Sequence, residues 1–222
     1  RLATASPLGV FGVLIAGIAN GTIFGMGAVF ARRAGFSVID TSLFMALLIL
    51  GAALLQWPIG KLSDVIDRRS VITGVTIGAA TACLFASRIT GIGSAGTAAL
   101  VALTGGLSLS VHSLSLAYTN DYLEAEEMVG ASSGLVLLLG AGSVAGPVLV
   151  GGALGLFGPP GFFLWLTLCH VALAVFALWR MTRRDATPVS EQAPYVPAPM
   201  QGTEISTAVA EEASVQDDRD HG

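Results

Sequence analysis

Charge is what this chain has least of. Only 12% of its 222 residues are Asp, Glu, Lys or Arg, while 53% are hydrophobic and the mean hydropathy is +0.75. A soluble domain carries about 25% charged residues, and a water-facing surface needs them. These numbers argue against a soluble globule and for a surface largely covered by lipid. Cysteine is scarce too. Cys83 and Cys169 both lie inside apolar runs, which argues against a disulfide framework and suits small packing residues. The sequence has no HExxH, no CxxC pair and no phosphate-binding glycine loop. It therefore offers no motif for a metal or other cofactor, and no nucleotide site for an ATP-driven pump. The chain begins at Arg1 and enters an apolar run within a few residues, without a recognisable secretory cleavage site. Further sequence upstream is expected.

The few charges are segregated. Eight of the fifteen acids fall in residues 185–222, with Arg219 the one base there. The remaining body holds ten bases and seven acids, so the overall charge of −4 describes the tail. It gives no reason to expect a nucleic acid as partner. Residues 185–222 are rich in Pro, Ala, Thr and acids and poor in large apolar side chains. Such a stretch buries too little surface to offset chain entropy. The expectation is two parts: a membrane body over 1–184 and a disordered acidic cytoplasmic tail over 185–222.

The gaps between charges count the membrane crossings. A helix rises about 1.5 Å per residue, so a bilayer needs about 20 apolar residues. Charge-free stretches occupy 2–31, 41–60, 70–87, 89–120 and 128–179. The last is too long for one span, and Gly158-Pro159-Pro160-Gly161 divides it, because two prolines remove two backbone donors. Six spans follow, near 7–30, 41–59, 70–87, 94–117, 130–156 and 162–179. The fold class is an all-α membrane protein. An even number of spans leaves both termini on one side. Arg1, Lys61, Arg68, Arg69, Arg180, Arg183 and Arg184 share that side, against Arg32, Arg33 and Arg88. The positive-inside rule makes it the cytoplasm.

Glycine is abundant, with 28 residues. Gly17, Gly21 and Gly25 recur at four-residue spacing, as do Gly74/Gly78, Gly142/Gly146 and Gly151/Gly155. This spacing lets two helix backbones approach closely in lipid. Pro147 follows Gly146 and adds a kink or a packing point.

The stretch after the second span reads Gln56-Trp57-Pro58-Ile59-Gly60-Lys61-Leu62-Ser63-Asp64-Val65-Ile66-Asp67-Arg68-Arg69. Its core resembles the signature loop of the major facilitator superfamily, roughly G-x-L-[AS]-D-[RK]-x-G-[RK]-[RK]. Gly60, Leu62, Ser63, Asp64, Arg68 and Arg69 match; Val65 stands where a base is usual, and Asp67 where a glycine is. The longer string is similar to the bacterial YcaD-like branch. So are Asn120-Asp121, Glu126 to Val129, Ala131 to Gly134, and Glu191 to Pro197. The resemblance covers the chain to about residue 199 and matches helices seven to twelve of a twelve-helix fold.

That resemblance implies the C-terminal six-helix half of a secondary transporter in a bacterial inner membrane. Its partners would be the lipid bilayer, an N-terminal six-helix half and a small-molecule substrate of unidentified class. It makes Gly60, Asp64, Asp67, Arg68 and Arg69 the conformational gate. The candidates for substrate or coupling-ion contact are Asn20, Gln56, His112, Asn120 and Asp121. Asn20 and His112 lie within spans, where a polar side chain is costly unless it faces a partner or a cavity. Asp121, at a helix end, reads equally as a solvated or capping charge. Glu124, Glu126 and Glu127 suit a helix N-terminus, where acids offset the dipole. Trp57 suits the membrane interface, and His170, in the last span, suits an inward hydrogen bond.

A rival reading is an intramembrane serine protease. Gly130-Ala131-Ser132-Ser133-Gly134 fits G-x-S-x-G, and His170 lies in the last span. The chemistry needs the serine within hydrogen-bond reach of its base. Ser132 should sit about one turn inside the membrane and His170 nearer its middle, a difference of roughly 10 Å. The transporter reading, which is not an enzyme, is preferred.

Overall fold

The computed structural model describes residues 6–123 and 125–183, together with Gln192 and Tyr195. Among these, every regular element is a helix. The six are α1 (Pro7–Arg33), α2 (Val38–Val65), α3 (Arg68–Ala86), α4 (Ala95–Asn120), α5 (Ala125–Phe157) and α6 (Gly161–Met181). All six are long and apolar enough to cross a membrane. The charge gaps therefore locate every span, and the helices overrun them at the ends because capping residues and charged first turns extend a helix beyond its apolar stretch.

Local chemistry explains the boundaries. Pro7 opens α1 at a position where its missing N–H is no loss. Gly35 closes α1 with φ of 85°. The N–H of Gly35 reaches the Arg32 carbonyl at 3.1 Å, and that of Phe36 reaches Ala31 at 3.0 Å. This is a Schellman end, which needs a residue tolerant of left-handed backbone. Ser37 and Asp40 form a capping box at the start of α2, and Ser94 and Thr97 form one at the start of α4. Gly158, at φ 66°, and the two prolines separate α5 from α6 as the sequence requires.

The largest difference from expectation lies between α2 and α3. Residues 60–65, read as loop, continue α2, and only Ile66 and Asp67 connect the helices. Ser63 lies buried and donates its hydroxyl to the Gly60 carbonyl at 2.7 Å, so the turn closes without a breaker after Pro58.

In the packing, α1 lies against α5 and α2 against α4, while α3 lies against α6. A Cβ on Gly17 or Gly21 would strike the backbone carbonyl of Leu139 or Ser143. Reciprocally, Gly142 and Gly146 face the carbonyls of Leu14 and Ile18. In the α2–α4 pair, Gly51 faces the Ala102 carbonyl and Gly105 that of Leu48. The four-residue glycine spacing thus works as close helix contact in the α1–α5 pair, and single glycines do the same in the α2–α4 pair. Gly74, Gly151 and Gly155 differ: a Cβ there meets nothing within 4 Å. The α1–α5 and α4–α2 pairs exchange when the first three helices are matched with the last three, as an inverted internal repeat requires.

Burial is uneven. In α4 the apolar window is 67% buried, but in α2 and α5 only 22%. Leu50, Leu54, Leu137, Val144 and Val148 stand exposed along those two helices. One end of the bundle carries interfacial aromatic–cation pairs. Lys61 Nζ lies 4.2 Å above the Trp57 ring, and Arg183 lies 5.8 Å from that of Trp179. Such pairs suit the headgroup level.

Candidate functional site

The site forms where α2 ends, α3 begins and α4 ends. Arg68 is the first residue of α3, and it is 1% exposed. A cation there opposes the helix dipole, so its position must be held by other groups. Its Nη1 donates to Asp121 Oδ1 at 2.7 Å and to the Ala117 carbonyl at 3.1 Å. Its Nη2 donates to Asp64 Oδ1 at 3.1 Å. Asp121 ends α4, where a lone carboxylate would meet the negative end of that helix dipole. The guanidinium offsets both the carboxylate and the dipole. Planar, always charged and carrying five donors in a fixed fork, it reaches three separated acceptors from two nitrogens, a geometry that the single nitrogen of a lysine lacks.

The Asp121 side chain is as buried as Arg68, at 1% exposure, while that of Asp64 keeps 36%. This corrects the reading of Asp121 as a solvated or capping charge. The buried arginine brings it inward, since neither group tolerates burial without the other. Asp64 and Arg68 stand four apart across the short break between helices and still face one another. Asp67 and Arg69 form a separate local unit. The Asp67 carboxylate caps α3 by accepting from the Arg69 N–H at 3.1 Å, and Arg69 Nη2 returns to it at 3.3 Å.

Gly60 lies one turn before Asp64. The ring of Tyr195 occupies the place its Cβ would fill, and the Tyr195 N–H donates to Asp64 Oδ1 at 2.9 Å. Gln56, a turn earlier, donates from Nε2 to the Ser113 hydroxyl of α4 at 2.8 Å. Gly60, Asp64, Arg68 and Asp121 are therefore one cluster, with Gln56 beside it. Asn120 is half-buried at the end of α4.

Asn20 and His112 lie elsewhere. Gly9 and Gly12 of α1 face Thr119 and Ser115 of α4, and Asn20 follows on the face of Gly9, three turns on. Asn20 is 4% exposed and His112 6%. Neither amide atom of Asn20, nor Nδ1 of His112, has a hydrogen-bond partner among the described residues. His170 is buried, and its Nδ1 lies 2.8 Å from the Leu166 carbonyl one turn back in its own helix, a local contact rather than the inward bond expected of it. Glu126 and Glu127 fall in the first turn of α5. Glu124 lies outside the described residues, as does most of the 185–222 stretch.

Ser113, the Ala117 carbonyl and the contact made by Tyr195 were not legible beforehand. Ser113 is one serine among several in α4, and a backbone carbonyl leaves no mark in a sequence. Tyr195 follows a proline in a stretch without periodicity, so nothing local shows what it touches.

Six lipid-compatible helices, pair contacts that exchange between the first three and the last three, and a buried charged cluster at one helix junction describe a multi-pass membrane protein. Residues 9–210 match the model of the Major Facilitator Superfamily, and the chain belongs to that family. It is similar to an uncharacterized MFS-type transporter of Enterobacter sp. (strain 638), 26% identical over 184 residues, which cover 82% of this chain and 46% of that protein. It is also similar to the uncharacterized MFS-type transporter YcaD of Escherichia coli O17:K52:H18, 27% identical over 63% of this chain and 35% of YcaD. The chain thus spans less than half the length of the curated relatives it matches. Among solved structures, the human organic anion transporter MFSD10 (TETRAN) shares the fold. Its TM-score is 0.57 at 18% identity, over 95% of this chain and 53% of that one.

Proposed function

We propose that this chain is one half of a secondary transporter that moves a small molecule by alternating access, with the Arg68 cluster as its cytoplasmic gate. The observation that carries the reading is the contrast within that cluster. Arg68 and Asp121 are sealed, but Asp64 keeps 36% of its side chain exposed at the bundle end. An exposed carboxylate held by a buried arginine is a prepared contact for something outside these six helices. A helix N-terminus of an opposing half suits it, because the dipole there favours an anion. The uncovered faces of α2 and α5 supply the surface against which that half would pack. Asn20 and His112, on the α1–α4 side, are the candidates for substrate or coupling-ion contact, since unpartnered polar atoms in a membrane core call for water or a ligand.

A contact made in only one state biases the equilibrium between states. A bias of about 1–3 kcal/mol changes their ratio about 5–150-fold. In the transporter assembled with an N-terminal half, Asp64→Asn should favour the inward-open state and reduce turnover more than expression. Cysteines at positions 20 and 112 should then label faster from the cytoplasmic side. Unchanged labelling with normal transport would overturn the gate. Reconstituted alone, the chain should show no saturable uptake.

A further inference from the structure

Tyr195 lies beyond the last helix, yet it contacts the α2–α3 junction through both backbone and side chain. Its N–H donates to Asp64 Oδ1 at 2.9 Å, the oxygen that also receives Arg68 Nη2. Its ring sits in the notch that the absent Cβ of Gly60 leaves open. The ring also packs against the apolar cluster that includes Ile59, Val111 and Leu114. The phenolic oxygen is buried beside Gln56 and Ser113, without a well-formed hydrogen bond to either. Burial raises the phenol's pKa above its ordinary value, so the ring enters neutral and adds no charge to the cluster.

We propose that the segment carrying Tyr195 is a tethered ligand of the α2–α3 junction, which seats its ring against Gly60 and Gln56 and takes up one oxygen of Asp64. Three features of the site fit this occupant. The notch exists only because residue 60 is glycine, so it accepts a flat ring and excludes the neighbour a larger residue would supply. The donor to Asp64 is a backbone N–H, so recognition uses the main chain of Tyr195 as well as its aromatic side chain. The carboxylate is already oriented by Arg68, so binding costs little reorganisation.

The consequence rests on the gate reading above. A segment that holds Asp64 Oδ1 competes with any opposing helix end for the same carboxylate. Docked, it keeps the gate residue engaged within this half; released, it frees Asp64 for the closed state. The length of chain after α6 would then tune the gate without touching the substrate path.

The test follows docking itself and needs no transport, so its failure is distinct from failure of the gate. In the full chain with Cys83→Ala and Cys169→Ala, Ser113→Cys is exposed to a membrane-impermeant maleimide in membranes open at the Arg68 end. With Tyr195 present the thiol should be shielded. Tyr195→Ala should raise its labelling rate at least about tenfold, because the buried ring is lost while the backbone N–H stays. Tyr195→Phe should restore shielding, because ring and N–H remain. Gly60→Val, which fills the notch from the other side, should unshield the same thiol with Tyr195 intact. Labelling that neither Tyr195→Ala nor Gly60→Val changes would overturn the proposal.

Discussion

At the Arg68 end, three helices meet on charge; at the opposite end, three meet on aromatic rings. Phe30 of α1 stacks on Phe162 of α6 with centroids 4.7 Å apart and an interplanar angle of 18°. Phe163 approaches it edge-on at 5.1 Å, and Phe44 of α2 lies 5.4 Å away. Phe36, in the turn between α1 and α2, completes the group at 6.0 Å. All five rings are buried. Ring packing of this kind has no polar atom to satisfy and no alternative partner to exchange. The Arg68 cluster is the reverse. Its contacts are directional, each acceptor could serve another donor, and losing one member leaves a buried charge exposed to the full desolvation cost. The gate proposed above draws on this difference, with exchangeable contacts at one end and fixed packing at the other.

The comparison breaks most sharply at Arg68. Arg68→Ala leaves Asp121 buried without its cation and should cost about 3–5 kcal/mol, read as a lower unfolding temperature in detergent and less inserted protein. The double change Arg68→Met with Asp121→Leu should recover much of that loss, since the penalty lies in the unpaired charge. If the single and double variants unfold alike, charge is not what holds this end.

At the other end, Phe30→Ala should cost about 3 kcal/mol through lost packing. Phe30→Leu should cost much less, because packing there has no directional requirement. Both effects should be insensitive to salt, which a thermal melt at low and high ionic strength would check.

Between the two ends, Gly21→Leu should cost about 1–3 kcal/mol, because its side chain meets the Ser143 backbone. Asp40→Ala should cost about 1 kcal/mol by removing half of the α2 capping box. Smallest, and opposite in sign, Gly74→Ala should stabilise by about 0.5–1 kcal/mol, since no atom lies within 4 Å to oppose it. If Gly74→Ala destabilises by as much as Gly21→Leu, the four-residue spacing acts at every glycine pair rather than in the α1–α5 pair.

How far the sequence could be read depended on the range of the forces involved. The six spans were legible because charge and hydropathy act over a single helix. The glycine spacing pointed to close packing, but Gly142/Gly146 and Gly151/Gly155 look alike in sequence. Only the neighbouring helix tells them apart: Ile18 faces the first pair, and nothing lies against the second. The motif containing Asp64 was visible, yet its helical continuation to Val65 was not. A stretch with Lys61, Ser63 and Asp64 reads as loop until the buried Ser63 and the Arg68 contact are known.

By itself, then, the sequence determined that the chain is a six-span helical membrane protein of the major facilitator kind, with its few body charges concentrated where helices end. The span count and the placement of charge follow from residue composition and local hydrogen bonding, which need no partner, and the family from the resemblance carried by Gly60 to Arg69. The tertiary structure alone decided that Arg68 would be buried between Asp121 and Asp64, that five phenylalanines from distant positions would form one cluster, and that Tyr195 would return to Gly60. Each of these depends on contacts between residues far apart in the chain, such as Asp64 and Tyr195 at a separation of 131. No local propensity encodes such a contact; the geometry that brings α2, α3 and α4 to one point creates it.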